Sequence, residues 1–120
     1  MKNKILVVDD DADILDSMQA ILELENFKVQ TSIKGDGLVP LALKNKPDLI
    51  LLDLLLSGRD GKEICQDIKA NTNLKHIPVV IMSAHPSAEK YAKQTGANAF
   101  IAKPFEVTEL MEIINQNLQN

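Results

Sequence analysis

Five short apolar runs, each followed by an amphipathic stretch, constrain the fold of this chain more than any other feature of its sequence. The runs have the length of β-strands, and the stretches repeat their apolar residues with a helical period. The runs are Ile5–Val8, Phe27–Val29, Leu49–Leu52, Val79–Met82 and Ala99–Ala102, and the stretches are 14–24, 38–43, 62–70, 88–94 and 107–118. The sequence therefore predicts five strands that alternate with five helices.

Four of these strands are apolar on consecutive residues, and the second strand alone is half polar. Consecutive apolar residues are typical of parallel strands that are covered by helices on both faces. With right-handed crossovers, this alternation predicts an α/β fold, a flavodoxin-like (βα)5 doubly wound parallel sheet with strand order 2-1-3-4-5. A length of 120 residues fits one domain, so we expect a single domain over 1–120 with no output domain.

Two details of the first helix follow from the same pattern. The apolar residues Ile14, Met18, Ile21 and Leu22 share one helical face and are predicted to belong to the core. Asp13, with Asp16 three residues later, is predicted to cap the start of this helix.

Composition excludes several classes of function. The 13 basic and 17 acidic residues give a formal net charge of -4, so no general attraction to nucleic acid or anionic lipid is expected. No uninterrupted apolar run exceeds four residues, which argues against a membrane span or a signal peptide and favours a cytoplasmic protein. The single cysteine, Cys65, cannot form an internal disulfide or a multi-thiolate metal site. Any metal must therefore be bound by oxygen.

Charged and polar side chains follow four of the predicted strands. Asp9 and Asp10 follow the first strand, Asp53 the third, Ser83 the fourth and Lys103 the fifth. Ligands of such sheets bind at the carboxyl ends of the strands, where the strand order reverses. Three carboxylates close together repel one another unless a cation neutralises them. Hard oxygen ligands without histidine or thiolate suit Mg²⁺ or Mn²⁺, and Mg²⁺ is the predicted cofactor.

The same residues indicate phosphoryl chemistry. Asp53 directly follows an apolar strand and precedes a loop, so its carboxylate is placed to attack phosphorus and form an aspartyl phosphate. Lys103 offers positive charge to the phosphoryl group, and Ser83 offers a hydrogen bond that forms only when that group is present. Asp53, Ser83 and Lys103 are therefore the predicted catalytic group. The conditional bond of Ser83 indicates a switch.

Four motifs together resemble the receiver domain of two-component response regulators, over essentially the whole chain. They are Ile5–Asp10, Pro47–Asp53 with Gly61, Met82–Ala84, and Gly96–Ala97 leading to Lys103–Phe105. The resemblance implies a stand-alone, chemotaxis-regulator-like domain. It implies that the domain takes a phosphoryl group from a histidine kinase or phosphotransfer protein.

The resemblance also implies individual roles. Asp53 is the expected phosphoacceptor and, with Asp9, Asp10 and the backbone carbonyl of Leu55, an expected Mg²⁺ ligand. Phe100 stands where the family has an aromatic switch, although an aromatic residue in a central strand is as readily part of the core. In this scheme the face made by the fourth helix, fifth strand and fifth helix binds the downstream effector.

Three departures from the family pattern bear on function. Ser57 replaces the usual proline after the phosphoacceptor, and the stretch from Ser83 to Lys103 is short, which implies a truncated fourth helix or a tightened loop near Pro86. Leu55 and His85 occupy positions that influence hydrolysis of the acyl phosphate in this family. Leu55 is expected to exclude water and lengthen the phosphorylated lifetime, whereas His85 could instead orient water.

Two other functions compete with this interpretation. A small Mg²⁺-dependent aspartyl phosphatase would use the same nucleophile, but it would need an acidic residue two positions later, where this chain has Leu55. A diverged receiver that binds partners without phosphorylation is the other alternative. The presence of the full set argues against the diverged receiver, namely Asp9, Asp10, Asp53, Ser83 and Lys103.

Overall fold

The structure of the protein, a computed structural model, describes residues 2–35, 37–56, 59–85 and 88–118, without the side chains of residues 55, 56, 59 and 60. Its elements are, in chain order, β1 (Lys4–Val8), α1 (Ala12–Leu24), β2 (Lys28–Ser32), α2 (Leu38–Asn45), β3 (Leu49–Asp53), β4 (Leu55–Leu56), β5 (Arg59–Asp60), α3 (Gly61–Ala70), β6 (Val79–Ser83), α4 (Ala88–Gln94), β7 (Ala99–Ala102) and α5 (Val107–Leu118).

Five of the strands form one parallel sheet in the order β2-β1-β3-β6-β7. This order confirms the predicted 2-1-3-4-5 arrangement, because β6 and β7 are the fourth and fifth strands of the sheet. The remaining two strands, β4 and β5, pair antiparallel in a separate short ladder between β3 and α3. That ladder was not predicted, since two-residue strands leave no periodic signal in a sequence.

Apolar side chains bury both faces of the sheet. Along β1, Leu6 and Val8 belong to the cluster that also contains α3 and α4 residues, whereas Ile5 and Val7 belong to the cluster beneath α1 and α5. All four side chains have no exposed surface. The continuous apolar run of the first strand is explained by this packing, because each residue faces one of two helical layers.

The strand register brings four strand ends to one edge of the sheet. Asp53 pairs with Met82 across β3 and β6, and Ser83 pairs with Ala102 across β6 and β7. Beyond β7, the Lys103 amide donates to the Ser83 carbonyl at 2.8 Å. Backbone pairing therefore continues up to the residues that carry the predicted chemistry, which restricts their positions.

The start of α1 differs from the prediction. Asp11, not Asp13, is the N-cap, because its carboxylate accepts hydrogen bonds from the amides of Asp13 at 3.0 Å and Ile14 at 3.3 Å. Asp13 lies in the first helical turn, where a carboxylate favours the helix dipole. Capping accounts for Asp11, and it leaves Asp9 and Asp10 to be explained otherwise.

Candidate functional site

Three carboxylates from two strands meet at the carboxyl edge of the sheet. Asp9, Asp10 and Asp53 each place one oxygen within 4.8 Å of the others. Asp9 is 1% exposed and Asp53 is 8% exposed, whereas Asp10 faces solvent. Three carboxylate oxygens this close together could hold one metal ion, and carboxylate oxygens are the donors that Mg²⁺ prefers. The donor chemistry of these residues therefore fits an oxygen-bound divalent ion.

Lys103 connects two of these carboxylates. Its Nζ lies 2.6 Å from Oδ2 of Asp9 and 3.5 Å from Oδ2 of Asp53. The other oxygen of Asp9, Oδ1, accepts the amide of Asp11 at 3.0 Å. A buried carboxylate is stable only when it is paired and hydrogen-bonded, and Asp9 meets both conditions. The structure thus brings together the predicted residues Asp9, Asp10, Asp53 and Lys103.

Ser83 lies at the end of β6, next to this group, and is 2% exposed. Its Oγ accepts the amide of His85 at 3.0 Å. That bond uses a lone pair of the hydroxyl, so its proton remains the group with which Ser83 can donate to a newly arrived oxygen. The His85 side chain is exposed, and His85 contacts the Ser83 hydroxyl through its backbone amide.

Phe100 is half-buried in β7, opposite Ile81. Its side chain packs against the cluster that contains Ala88 and Ala92 of α4. Phe100 therefore contributes to the core and also lies under the fourth helix. Both predicted interpretations, core residue and switch, are compatible with this position.

Several predicted features fall outside what the structure describes. Leu55 belongs to β4, but its side chain is not described, and Ser57 and Pro86 lie outside the described residues. The fourth helix, α4, has seven residues, which agrees with the short helix implied by the spacing of Ser83 and Lys103.

An apolar groove beside Lys103 was missed by the sequence analysis. It has a volume of about 530 Å³, and its lining includes Ile14, Met18, Ile21 and Phe105. Ile14 and Ile21 were predicted to be core residues, but the structure leaves both partly exposed, and Leu15 is buried in their place. The apolar face of α1 has more residues than the core covers. The width of this face in the sequence could have indicated the groove.

Away from the site, burial changes two titratable groups. Desolvation raises the pKa of the Cys65 thiol above its ordinary value of 9.0, although a hydrogen bond from Thr95 Oγ1 at 3.3 Å and the charge of Lys69 oppose the shift. Desolvation lowers the pKa of Lys69. Cys65 is therefore a neutral side chain at physiological pH, buried in the core cluster that contains Ile64 and Ile68.

Comparison with known proteins assigns this site to a family. Residues 5–115 match the response regulator receiver domain, and the chain belongs to that family. Within the ranges that the structure describes, no helix is both long and apolar enough to cross a bilayer.

Solved structures agree with the assignment. A candidate response regulator from Chloroflexus aurantiacus J-10-fl is 28% identical, with a TM-score of 0.95 and complete coverage of both chains. The receiver domain of NtrX from Brucella abortus is 32% identical over 97% of this chain and 98% of its own, with a TM-score of 0.88. The chemotaxis protein CheY4 of Vibrio cholerae, at 23% identity, has the same fold, with a TM-score of 0.90 over 98% of this chain and all of its own.

Proposed function

We propose that this receiver domain accepts a phosphoryl group on Asp53 from a phosphohistidine of a histidine kinase or phosphotransfer protein. The observation that carries the proposal is the meeting of three carboxylates with one ammonium group at the carboxyl edge of the sheet. Holding carboxylates from separate strands close together costs free energy, because like charges repel. A function that binds a cation between them explains why the fold keeps them there.

In the proposed reaction, an Asp53 carboxylate oxygen attacks phosphorus in line with the leaving imidazole. The O–P bond forms as the N–P bond breaks, and the imidazole nitrogen keeps the electron pair and takes a proton from solvent. Lys103 lies 3.5 Å from Asp53, close enough to neutralise charge on the transferring oxygens.

Asp9, Asp10 and Asp53 are the proposed ligands of Mg²⁺, together with the backbone carbonyl of Leu55. When bound, the ion supplies charge compensation for the phosphoryl oxygens. The protein's own contribution is to hold the ligands in place: Asp9 by the Asp11 amide and Lys103, and Asp53 by the end of a fully buried strand.

Signal output is proposed to begin at Ser83. When its hydroxyl donates to the phosphoryl group, the segment after β6 moves toward Asp53, and Phe100 turns into the space beneath α4. The effector would then bind the face made by α4, β7 and α5. Tyr91 of α4 is 48% exposed and Val107 of α5 is 41% exposed, and these apolar side chains suit a protein partner.

The groove beside Lys103 is the proposed docking surface for the phosphodonor protein. Its floor is apolar, the exposed residue Asp13 of α1 lies in its lining, and the exposed residue Glu106 directly follows the lining residue Phe105. A helix with an apolar stripe flanked by basic residues complements both features. Ile21→Glu is expected to slow transfer from a phosphorylated donor protein without slowing transfer from acetyl phosphate, which needs no docking surface.

Incubation with acetyl phosphate, with and without Mg²⁺, followed by intact-mass measurement, tests the main proposal. Wild-type protein should gain one phosphoryl group only with Mg²⁺, and Asp53→Ala should gain none. Asp48→Ala is the matched control, because Asp48 is exposed and its carboxylate accepts the Lys4 amide at the opposite end of β3. If the wild type forms no adduct, the domain is the diverged receiver. Rapid turnover of the donor without a persistent adduct would indicate the phosphatase.

The persistence of the adduct is proposed to depend on Leu55 and His85. Leu55→Asn, which puts a hydrogen-bonding group two residues after the proposed phosphoacceptor, should speed dephosphorylation. His85→Ala should slow it if His85 orients water. Unchanged rates in both variants would show that neither residue controls hydrolysis.

This function requires no turnover of an external substrate, so slow self-dephosphorylation is the proposed limit of its own chemistry. We place it in the cytoplasm, where phosphohistidine donors are made from ATP and a lone thiol such as Cys65 remains reduced. No direct contact with nucleic acid or membrane is proposed, given the net charge of -4.

A further inference from the structure

The first residue of α3, Gly61, packs directly on the backbone that carries Asp53. A Cβ atom placed on Gly61 would lie 2.5 Å from the Asp53 carbonyl oxygen, 2.7 Å from the Leu54 carbonyl oxygen and 2.8 Å from the Leu54 Cα. The Gly61 amide also donates to the Leu54 carbonyl at 2.8 Å. The helix therefore begins in contact with the two peptide units that follow the proposed phosphoacceptor.

Space, not backbone conformation, is what requires glycine here. Gly37 and Gly96 have φ values of +77° and +85°, in the region that side chains rarely adopt, whereas Gly61 does not. The three atoms that a Cβ would meet belong to the backbone, so they cannot rotate away as a flexible side chain would. A methyl group at this position must push the Asp53–Leu54 segment and α3 apart.

We propose that Gly61 is a positioning residue for phosphoryl acceptance: its bare Cα lets α3 hold the Asp53–Leu54 backbone so that the Asp53 carboxylate meets Asp9, Asp10 and Lys103. The inference rests on the proposed function of Asp53. Cβ contacts in proteins are essentially never shorter than 3.0 Å, so a Cβ now 2.5 Å from the Asp53 oxygen forces a shift of at least the difference, 0.5 Å. Reactive groups must be held within about 0.5 Å of their productive geometry.

Gly61→Ala tests the inference, with Gly96→Ala as the matched control. The control adds the same methyl group at a strained φ, but its nearest neighbour is the Lys69 side chain, 3.5 Å away, far from the site. Two quantities are measured: Mg²⁺ affinity of the unphosphorylated protein by titration calorimetry, and the rate of adduct formation with acetyl phosphate. We expect Gly61→Ala to weaken Mg²⁺ binding at least about fivefold and to slow adduct formation roughly tenfold to one hundredfold. Gly96→Ala should change neither.

A residue with a merely structural role would lower stability and leave Mg²⁺ affinity unchanged. Wild-type affinity and rate in folded Gly61→Ala would therefore overturn the inference, while absence of any adduct in the wild type would overturn the proposed function instead. If Gly61→Ala is unfolded in buffer, the same titration is made in sucrose, which favours the compact state. Amide exchange of the wild type gives an independent measurement: the Gly61 amide should be as protected as those of β3, and rapid exchange would contradict the contact.

Discussion

Lys103 offers the sharpest test of the site, because its ammonium group is shared by two carboxylates. Replacing it with methionine, which is similar in length and uncharged, removes the ammonium partner of Asp9 and leaves this carboxylate buried at 1% exposure, with the Asp11 amide still donating to it. Removing one partner of a buried ion pair costs about 3–5 kcal/mol, because the remaining charge is desolvated without compensation. We expect Lys103→Met to lose about 3 kcal/mol of unfolding free energy when no divalent ion is bound.

Mg²⁺ should reverse much of this loss. The ammonium of Lys103 repels a divalent ion bound between Asp9 and Asp53, and at an effective dielectric constant of about 20 such a repulsion amounts to several kcal/mol. Its removal should tighten Mg²⁺ binding at least about tenfold, a gain of about 1.4 kcal/mol. Binding to the folded state alone raises stability by mass action, so Lys103→Met should gain more from Mg²⁺ than the wild type does.

Urea unfolding in EDTA and in Mg²⁺ measures both effects, and Lys93→Met is the control. Lys93 has 77% of its side-chain surface exposed and forms a 3.8 Å helical pair with Glu89, so its loss should leave both curves unchanged. The acetyl phosphate reaction of Lys103→Met should also slow by roughly one hundredfold, as is typical when one charge-stabilising group is lost. Equal stability of Lys103→Met and wild type in EDTA would show that the Lys103–Asp9 ion pair does not stabilise the protein in solution, which would refute this prediction.

Further outcomes follow from other residues. Asp10→Asn should weaken Mg²⁺ binding at least about tenfold with little change in urea midpoint, because Asp10 faces solvent; calorimetry measures the first, and unchanged affinity would remove Asp10 from the ligand set. Ser83→Ala should still form the adduct but should lose the phosphorylation-dependent change in amide exchange of α4, and a full change in that variant would refute the switch. Burial raises the pKa of Cys65, so its folded form keeps a proton that the unfolded chain releases above its ordinary pKa of 9.0, and stability should fall as pH rises through that value. Cys65→Ala should remove this slope, and an identical slope in both proteins would contradict it.

The sheet could be predicted because its signal is local and repeated. Each of the strands β1, β3 and β6 is a run of apolar residues buried on both sides, as in β3, where every residue from Leu49 to Asp53 is buried. A parallel sheet built from alternating strands and helices has few possible orders, and the carboxyl ends of its strands share one edge. Residues at the carboxyl ends of the sheet strands are therefore expected to be close, which is why Asp9, Asp53 and Lys103 could be grouped from the sequence.

Other features could not be predicted, because they depend on distances that a linear pattern does not contain. Whether Asp11 or Asp13 caps α1 depends on where the chain first turns, a choice of one or two residues. Ile14 and Ile21 have the period of core residues, and only the packing of α1 shows that both line a groove, with Ile14 also packed against the core cluster. Glycine is needed at position 61 because α3 begins close to the backbone of Asp53 and Leu54. The sequence between these segments does not indicate how close they approach.

The charges at the site explain why phosphorylation can act as a switch. Three carboxylates and one ammonium group carry two formal negative charges, which one divalent ion cancels. In the proposed aspartyl phosphate, Asp53 loses its own charge and gains a phosphoryl group with a charge of about −1.5 to −2. With a divalent ion bound, the site would then have a net charge of roughly −1. The charge of Lys103, which lies 2.6 Å from Asp9 and 3.5 Å from Asp53, is already counted in this balance. The excess negative charge favours additional hydrogen-bond donors. The buried hydroxyl of Ser83, at the end of the adjoining strand β6, is such a donor. In the proposed switch, this charge imbalance favours movement of the end of β6 toward the phosphoryl group, where the Ser83 hydroxyl can donate a hydrogen bond.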